Sequence, residues 1–223
     1  MTNKLFFEAL IKFIAGVVLA GLFVFLPAGT LNYFQGWLFM GVLFIPIFIA
    51  GAVMMLKNPS LLEKRLRSKE KRGQQSTVVK LGGLMFIAGF VAAGLCFRFG
   101  FLVLPAGVSV AAAVMFIGGY IMYAEVLREN TYLSRVVEVQ ENQQVIDTGL
   151  YGIVRHPMYL ATVLLFLAMP LMLGSAVSFA VFLFYPVLIA KRIKDEELLL
   201  ENELKGYREY KNKVKYRLIP FIW

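Results

Sequence analysis

The chain's single histidine, His156, stands in the run Arg155-His156-Pro157-Met158-Tyr159, and an uncharged stretch from Pro157 to Ala190 separates it from Arg192-Ile193-Lys194-Asp195-Glu196-Glu197. An imidazole, a phenol, a guanidinium and a carboxylate can together bind a polar ligand, orient an anion and hold a proton. Pro157 suits the first position of a helix, where its missing N–H costs nothing, so a ligand beside His156 would meet a helix N-terminus. Arg192 and Glu196 lie four residues apart and share one face of a helix, with Asp195 and Glu197 to either side. Taken alone, such a pair reads as a solvated ion pair at a helix end. Two features argue for more: the acidic triplet directly follows an apolar run, and the tail carries Tyr207, Tyr210, Val214 and Arg217-Leu218-Ile219-Pro220 at helical spacing. A tail so patterned can pack back over a membrane surface.

The elements that must position these groups are apolar. Of 223 residues, 59% are hydrophobic and 17% charged, which excludes an ordinary water-soluble domain and predicts an all-α integral membrane protein. Stretches of roughly 17 to 25 apolar residues can span a bilayer. They occur near 10–27, 34–56, 79–99, 105–127, 157–173 and 175–190, giving about six transmembrane helices. Gly174-Ser175 interrupts the last uncharged run near its middle, so 157–190 reads as a helical hairpin rather than one long helix. Lys4 and Lys12 precede the first stretch in the manner of a signal peptide, but its length and lack of a small-residue cleavage site predict a retained span.

Basic residues in short loops stay on the cytoplasmic side. The connection after the second span holds Lys57, Lys64, Arg65, Arg67, Lys69, Lys71, Arg72 and Lys80 against Glu63 and Glu70. It is expected to be cytoplasmic, together with both termini and residues 125–156 and 191–217. Connections near 28–33 and 170–176 carry no charge, and the one near 98–105 carries only Arg98. The basic segment reads as a topogenic signal rather than an anionic-lipid patch. With no interleaved aromatic residues, it does not predict nucleic-acid binding. Tyr33, Trp37 and Trp223 fit interfacial anchoring or packing. Cys96 lacks a Cys or His companion for a metal site and is expected to pack. Gly82-Gly83, Gly89 and Gly118-Gly119 lie where small residues allow close helix approach.

Residues from Glu125 through Arg128, Asn130, Arg135, Gln140, Gln143 and Gln144 to Asp147-Thr148-Gly149 are too polar to span. They predict a loop, with Val145-Ile146 as a short extended piece before a turn. That loop would deliver Tyr151, Arg155 and His156 to the start of the hairpin.

The run Asp-Thr-Gly-Leu-Tyr-Gly-Ile-Val-Arg-His-Pro-Met-Tyr at 147–159, then Arg-Ile-Lys-Asp-Glu-Glu-Leu at 192–198, then Gly-Tyr-Arg-Glu-Tyr-Lys-Asn-Lys-Val-Lys-Tyr-Arg-Leu-Ile-Pro at 206–220, resembles the isoprenylcysteine carboxyl methyltransferase family. Phospholipid N-methyltransferases look similar. The resemblance covers about the last hundred residues, and it implies a pocket for S-adenosyl-L-methionine capped by a cytoplasmic loop and tail. Carried over by motif, Gln143, Gln144, Val145, Ile146, Tyr151, His156, Pro157, Met158, Tyr159 and Glu196 would bind the cofactor. Arg192 would bind the substrate, and Arg192 with Glu196 would serve catalysis. Gln143 stands where some family members carry histidine. The resemblance further implies two regions: four substrate-side helices in 1–127, and a catalytic region in 128–223 with the hairpin and a C-terminal helix.

Methyl transfer from a sulfonium needs in-line placement and a dry site more than acid–base apparatus. Tyrosine faces and a carboxylate suit the cation. Arg192 favours a carboxylate acceptor, ionised at neutral pH with a reference pKa of about 3.5, over an amine that must first lose a proton and that arginine would repel. The expected activity is therefore carboxyl O-methylation of an isoprenylcysteine-like or other lipophilic molecule reached from the membrane lipids. Phospholipid N-methylation, a nicotinamide-dependent sterol-reductase-like activity and a non-catalytic scaffold are the rival readings.

Overall fold

Proline placement and runs of uncharged residues set where the helices of this computed structural model begin, bend and stop; the structure describes residues 2–66, 73–133 and 139–223. Helices α1 (Thr2–Ala28), α2 (Phe34–Lys57), α3 (Pro59–Leu66), α4 (Gly73–Phe99) and α5 (Ala106–Glu129) come first. After the polar connection and a 3-10 turn at Gly149–Gly152 follow α6 (Pro157–Met172), α7 (Ala176–Phe182), α8 (Phe184–Glu203) and α9 (Tyr207–Lys213). Arg67, Lys69, Lys71, Arg72 and Arg135 lie outside the described residues, as do the side chains of Lys64 and Arg65.

Five helical stretches are long and apolar enough to cross a membrane: Lys4–Ala28, Phe34–Lys57, Thr77–Phe99, Ala106–Glu129 and Ala176–Glu203. In the best apolar window of α2 only 6% of residues are buried within the protein. So much exposed aliphatic and aromatic surface is stable only in lipid, and the chain is an integral, multi-pass membrane protein. The expected span at 157–173 is shorter than the rest. With 16 residues, α6 rises about 24 Å, short of the roughly 30 Å hydrocarbon core.

The hairpin forms where expected. Gly174, at φ 71°, turns the chain back in a conformation costly for side-chain-bearing residues, and Ser175 caps α7 by accepting from Ser178 N–H. The descending arm departs from the expected 175–190 in two ways. It breaks at Leu183, three residues before Pro186, whose ring removes a helical donor and crowds the preceding turn. It then runs on to Glu203, because charged residues at helical spacing extend a helix past the end of its apolar run.

α6 packs chiefly on α5, and α1 on α4, while α4 also meets α7 and α8. Val24, Phe39, Phe90, Phe116, Met172, Phe182 and Ile193 form the shared core, with Cys96 buried as expected. The glycine expectation divides. A Cβ on Gly89 would sit 2.2 Å from the Phe182 ring, and one on Gly119 would sit 2.9 Å from Leu165. Gly82, Gly83 and Gly118 have nothing within 4 Å, so they face away from neighbouring helices. Gly94, not foreseen, lets α4 approach Val24 of α1. Tyr33 is fully buried and donates to the Leu173 carbonyl, a packing role. Trp37 is exposed and donates to Leu31 O at 2.8 Å.

The two ends of the bundle differ in chemistry. At one end Leu104 N–H donates to Gly174 O and Ala176 N–H to Leu102 O, joining the nearly uncharged connections. At the other, Lys12 reaches Leu66 O at 2.8 Å, and Asn58 and Ser60 share a hollow with Tyr132, Gln140 and Glu141. The α5–α6 connection, the end of α8 and α9 meet at this second end.

Candidate functional site

His156 caps α6 with its backbone only, its side chain making no cap hydrogen bond, and Pro157 occupies the first helical turn. The imidazole is thereby released for other contacts. Upstream, Gly149 at φ 50° permits the turn, and any Cβ there would lie 2.3 Å from Glu129 Oε1. Thr148 donates to that same oxygen at 2.8 Å. The 3-10 turn then presents Tyr151, whose hydroxyl accepts from Asn130 Nδ2 at 3.0 Å and whose carbonyl accepts from the Tyr210 hydroxyl at 2.8 Å.

A buried clasp fixes the entry to α6. Arg155 Nε donates to Glu197 Oε1 at 2.7 Å, and Arg217 Nε to Glu197 Oε2 at 2.8 Å. His156 Nε2 lies 3.3 Å from Glu197 Oε1. Arg155 Nη1 also donates to the Val214 and Lys215 carbonyls, and the backbone N–H groups of Arg155 and His156 donate to Tyr216 and Arg217. The entry to α6 and the C-terminal tail thus converge on one carboxylate of α8.

Beside the clasp, Arg192 Nε donates to the Tyr159 hydroxyl at 2.9 Å, and that hydroxyl donates to Glu196. The expected shared face of Arg192 and Glu196 exists, but a phenol from α6 stands between the two groups. Arg192 is 9% exposed, so its charge acts in a medium where electrostatic contacts are stronger than in water.

These groups wall one cavity, partly open to solvent. Gln143, Gln144, Val145, Ile146, Tyr151, His156, Met158, Tyr159, Arg192 and Glu196 all line it. Pro157 does not: it is fully buried at the start of α6, where its ring shapes the backbone from behind. Asn130, Tyr132, Leu133, Arg155, Leu199, Leu200, Leu204, Tyr207 and Tyr210 complete the wall. Of these, Tyr207 and Tyr210 were visible in sequence only as a packing pattern; with Leu204 and Val214 they do pack, against Val139, Val145 and Leu200. Burial, aided by the charges of Glu197 and Glu196, pushes the Tyr207 phenol above its usual range. Burial does the same to Tyr210, so both are neutral near pH 7. At the rim, the hydrogen bond from Lys213, 2.6 Å away, and its charge hold Asp147 below the usual carboxylate range.

The lining fits a polar, cationic ligand. It offers several tyrosine faces for a sulfonium, one carboxylate, and amide groups from Gln143, Gln144 and Asn130 for a purine or sugar.

Comparison with known proteins adds three findings. The family model described as isoprenylcysteine carboxyl methyltransferase (ICMT) matches residues 110–202, from α5 through most of α8. A Delta(14)-sterol reductase of Mus musculus is 32% identical over 84 residues, 36% of this chain. That stretch is 20% of the reductase, so the chain spans about a fifth of that relative's length. The solved structure of the eukaryotic intramembrane Ras methyltransferase ICMT, determined without a monobody, aligns over 99% of this chain and 85% of that one, with TM-score 0.50 and 19% identity. At that identity the likeness establishes a shared fold.

Proposed function

We propose, from the match of residues 110–202 to the isoprenylcysteine carboxyl methyltransferase family model, that the chain transfers a methyl group from S-adenosyl-L-methionine to the carboxylate of an isoprenylcysteine-like or other lipophilic molecule. The observation that carries this reading is the convergence of His156, Tyr159, Arg192 and Glu196, from two helices and a loop, on one cavity.

When bound, the cofactor supplies an electrophilic methyl on a positively charged sulfur. Gln143, Gln144, Val145, Ile146, Tyr151, His156, Met158, Tyr159 and Glu196 line the cavity and would hold the cofactor. Glu196 can accept from amino or hydroxyl donors, and the tyrosine rings face the cation. Arg192 presents a charged donor to the acceptor's carboxylate and fixes its oxygens. That carboxylate is already ionised, so no side chain need remove a proton. The chemistry the cofactor would supply here, methyl transfer to a carboxylate, would consume one positive and one negative charge. A site shielded from water speeds such charge-neutralising steps. Leu199, Leu200 and Leu204 supply that shielding on the α8 side.

We assign residues 128–223 to the donor and 1–127 to the acceptor's lipid-side approach. The site end carries the basic connection after α2, which supports placing the cavity and both termini in the cytoplasm.

The test is methyl transfer by purified protein from labelled S-adenosyl-L-methionine to a prenylated cysteine. Labelling of phosphatidylethanolamine instead would replace the carboxylate reading with N-methylation. The partial likeness to a sterol reductase favours a second reading, nicotinamide-dependent reduction, in which the same cavity would bind NADPH.

A further inference from the structure

Only one side of the histidine ring is committed. His156 Nε2 faces Glu197 Oε1 at 3.3 Å, and a carboxylate oxygen only accepts, so the contact requires a hydrogen on Nε2. Glu197 cannot turn away, because Arg155 and Arg217 hold its two oxygens at 2.7 and 2.8 Å and its side chain is almost wholly buried. The main chain beneath the ring is tied to the tail, since His156 N–H donates to the Arg217 carbonyl. Nδ1 makes no hydrogen bond among the described residues, yet His156 is part of the cavity wall.

We infer that Glu197 is a positioning residue: it locks His156 in the Nε2–H tautomer, so that Nδ1 presents a lone pair to an N–H or O–H donor of the molecule in the cavity. The logic is that of second-sphere carboxylates, which set the role of one imidazole nitrogen by bonding the other. The inference rests on the adenosyl-donor reading, whose ligand offers donors in its amino group, ribose hydroxyls and adenine amine.

The chain's single histidine makes the test direct. Full-length protein labelled with 15N-histidine and purified in detergent without a histidine tag yields one imidazole spin system. The expected spectrum shows Nε2 protonated and Nδ1 unprotonated, with the Nδ1 resonance moving on addition of S-adenosylhomocysteine. In Glu197→Gln, the amide can offer either a donor or an acceptor to Nε2. Mixed tautomers and about twofold or more weaker S-adenosylhomocysteine binding are expected, since only the Nε2–H fraction is competent. Arg217→Met leaves the carboxylate in place and is expected to keep the tautomer.

A protonated Nδ1 in the wild type overturns the inference, as does an unchanged single tautomer in Glu197→Gln. If that variant does not fold, the wild-type spectrum decides. Wild-type protein that binds S-adenosylhomocysteine with an unmoved Nδ1 resonance sinks this inference alone. Wild-type protein that binds none sinks the adenosyl reading and this inference with it.

Discussion

The Tyr159 hydroxyl accepts from Arg192 Nε at 2.9 Å while donating to Glu196, so one phenol couples the guanidinium and the carboxylate that the α8 sequence sets four residues apart. Tyr159→Phe removes that coupling and keeps the ring. Turnover is expected to fall about tenfold, the worth of one hydrogen bond to a charged group, with S-adenosylhomocysteine affinity changed much less. Steady-state kinetics beside equilibrium titration reads the split; equal losses in both would assign the hydroxyl to the cofactor instead.

Arg192 is asked to hold a carboxylate during transfer. Arg192→Ala should lower methyl transfer by about a hundredfold or more, as loss of a preorganised donor does elsewhere, and Arg192→Lys should recover little, because an ammonium cannot reproduce a planar fork. Cofactor binding should survive both. Full activity in Arg192→Ala would remove arginine from the reaction.

Glu197 carries structural weight of another kind. Glu197→Ala leaves Arg155 and Arg217 facing no carboxylate in a buried clasp, and loss of one partner in such an arrangement costs about 3–5 kcal/mol. Thermal unfolding in detergent should show a marked loss of stability, larger than for Glu196→Ala at the cavity wall.

Two glycines separate packing from mere composition. A Cβ at Gly89 would collide with the Phe182 ring, whereas one at Gly83 meets nothing within 4 Å. Gly89→Ala is expected to destabilise by about 1–3 kcal/mol through overpacking. Gly83→Ala should be neutral or slightly stabilising, since alanine is the better helix former. Melting temperatures of the two variants against wild type give the comparison.

Much of this was legible in the sequence because membranes and prolines leave strong marks. The uncharged run broken by Gly174-Ser175 announced the hairpin, and His156-Pro157 announced the start of α6. Other features depend on which way a side chain points. Glu196 and Glu197 are neighbours, but successive helical residues point about 100° apart. One therefore lines the cavity and the other enters the clasp, and spacing alone does not say which. Arg155 and Glu197 meet across 42 positions of sequence, a pairing no local pattern encodes. The descending arm outran its expected end at Ala190 because helical propensity continues where hydropathy stops. Gly83 and Gly89 look alike in sequence, yet only Gly89 faces Phe182.

What the cavity binds decides between methyl transfer and reduction. Calorimetric titration of the purified wild-type protein with S-adenosylhomocysteine and, separately, with NADPH should show saturable binding of the first, lost in Glu196→Ala, and none of the second. Binding of NADPH without binding of S-adenosylhomocysteine would contradict methyl transfer.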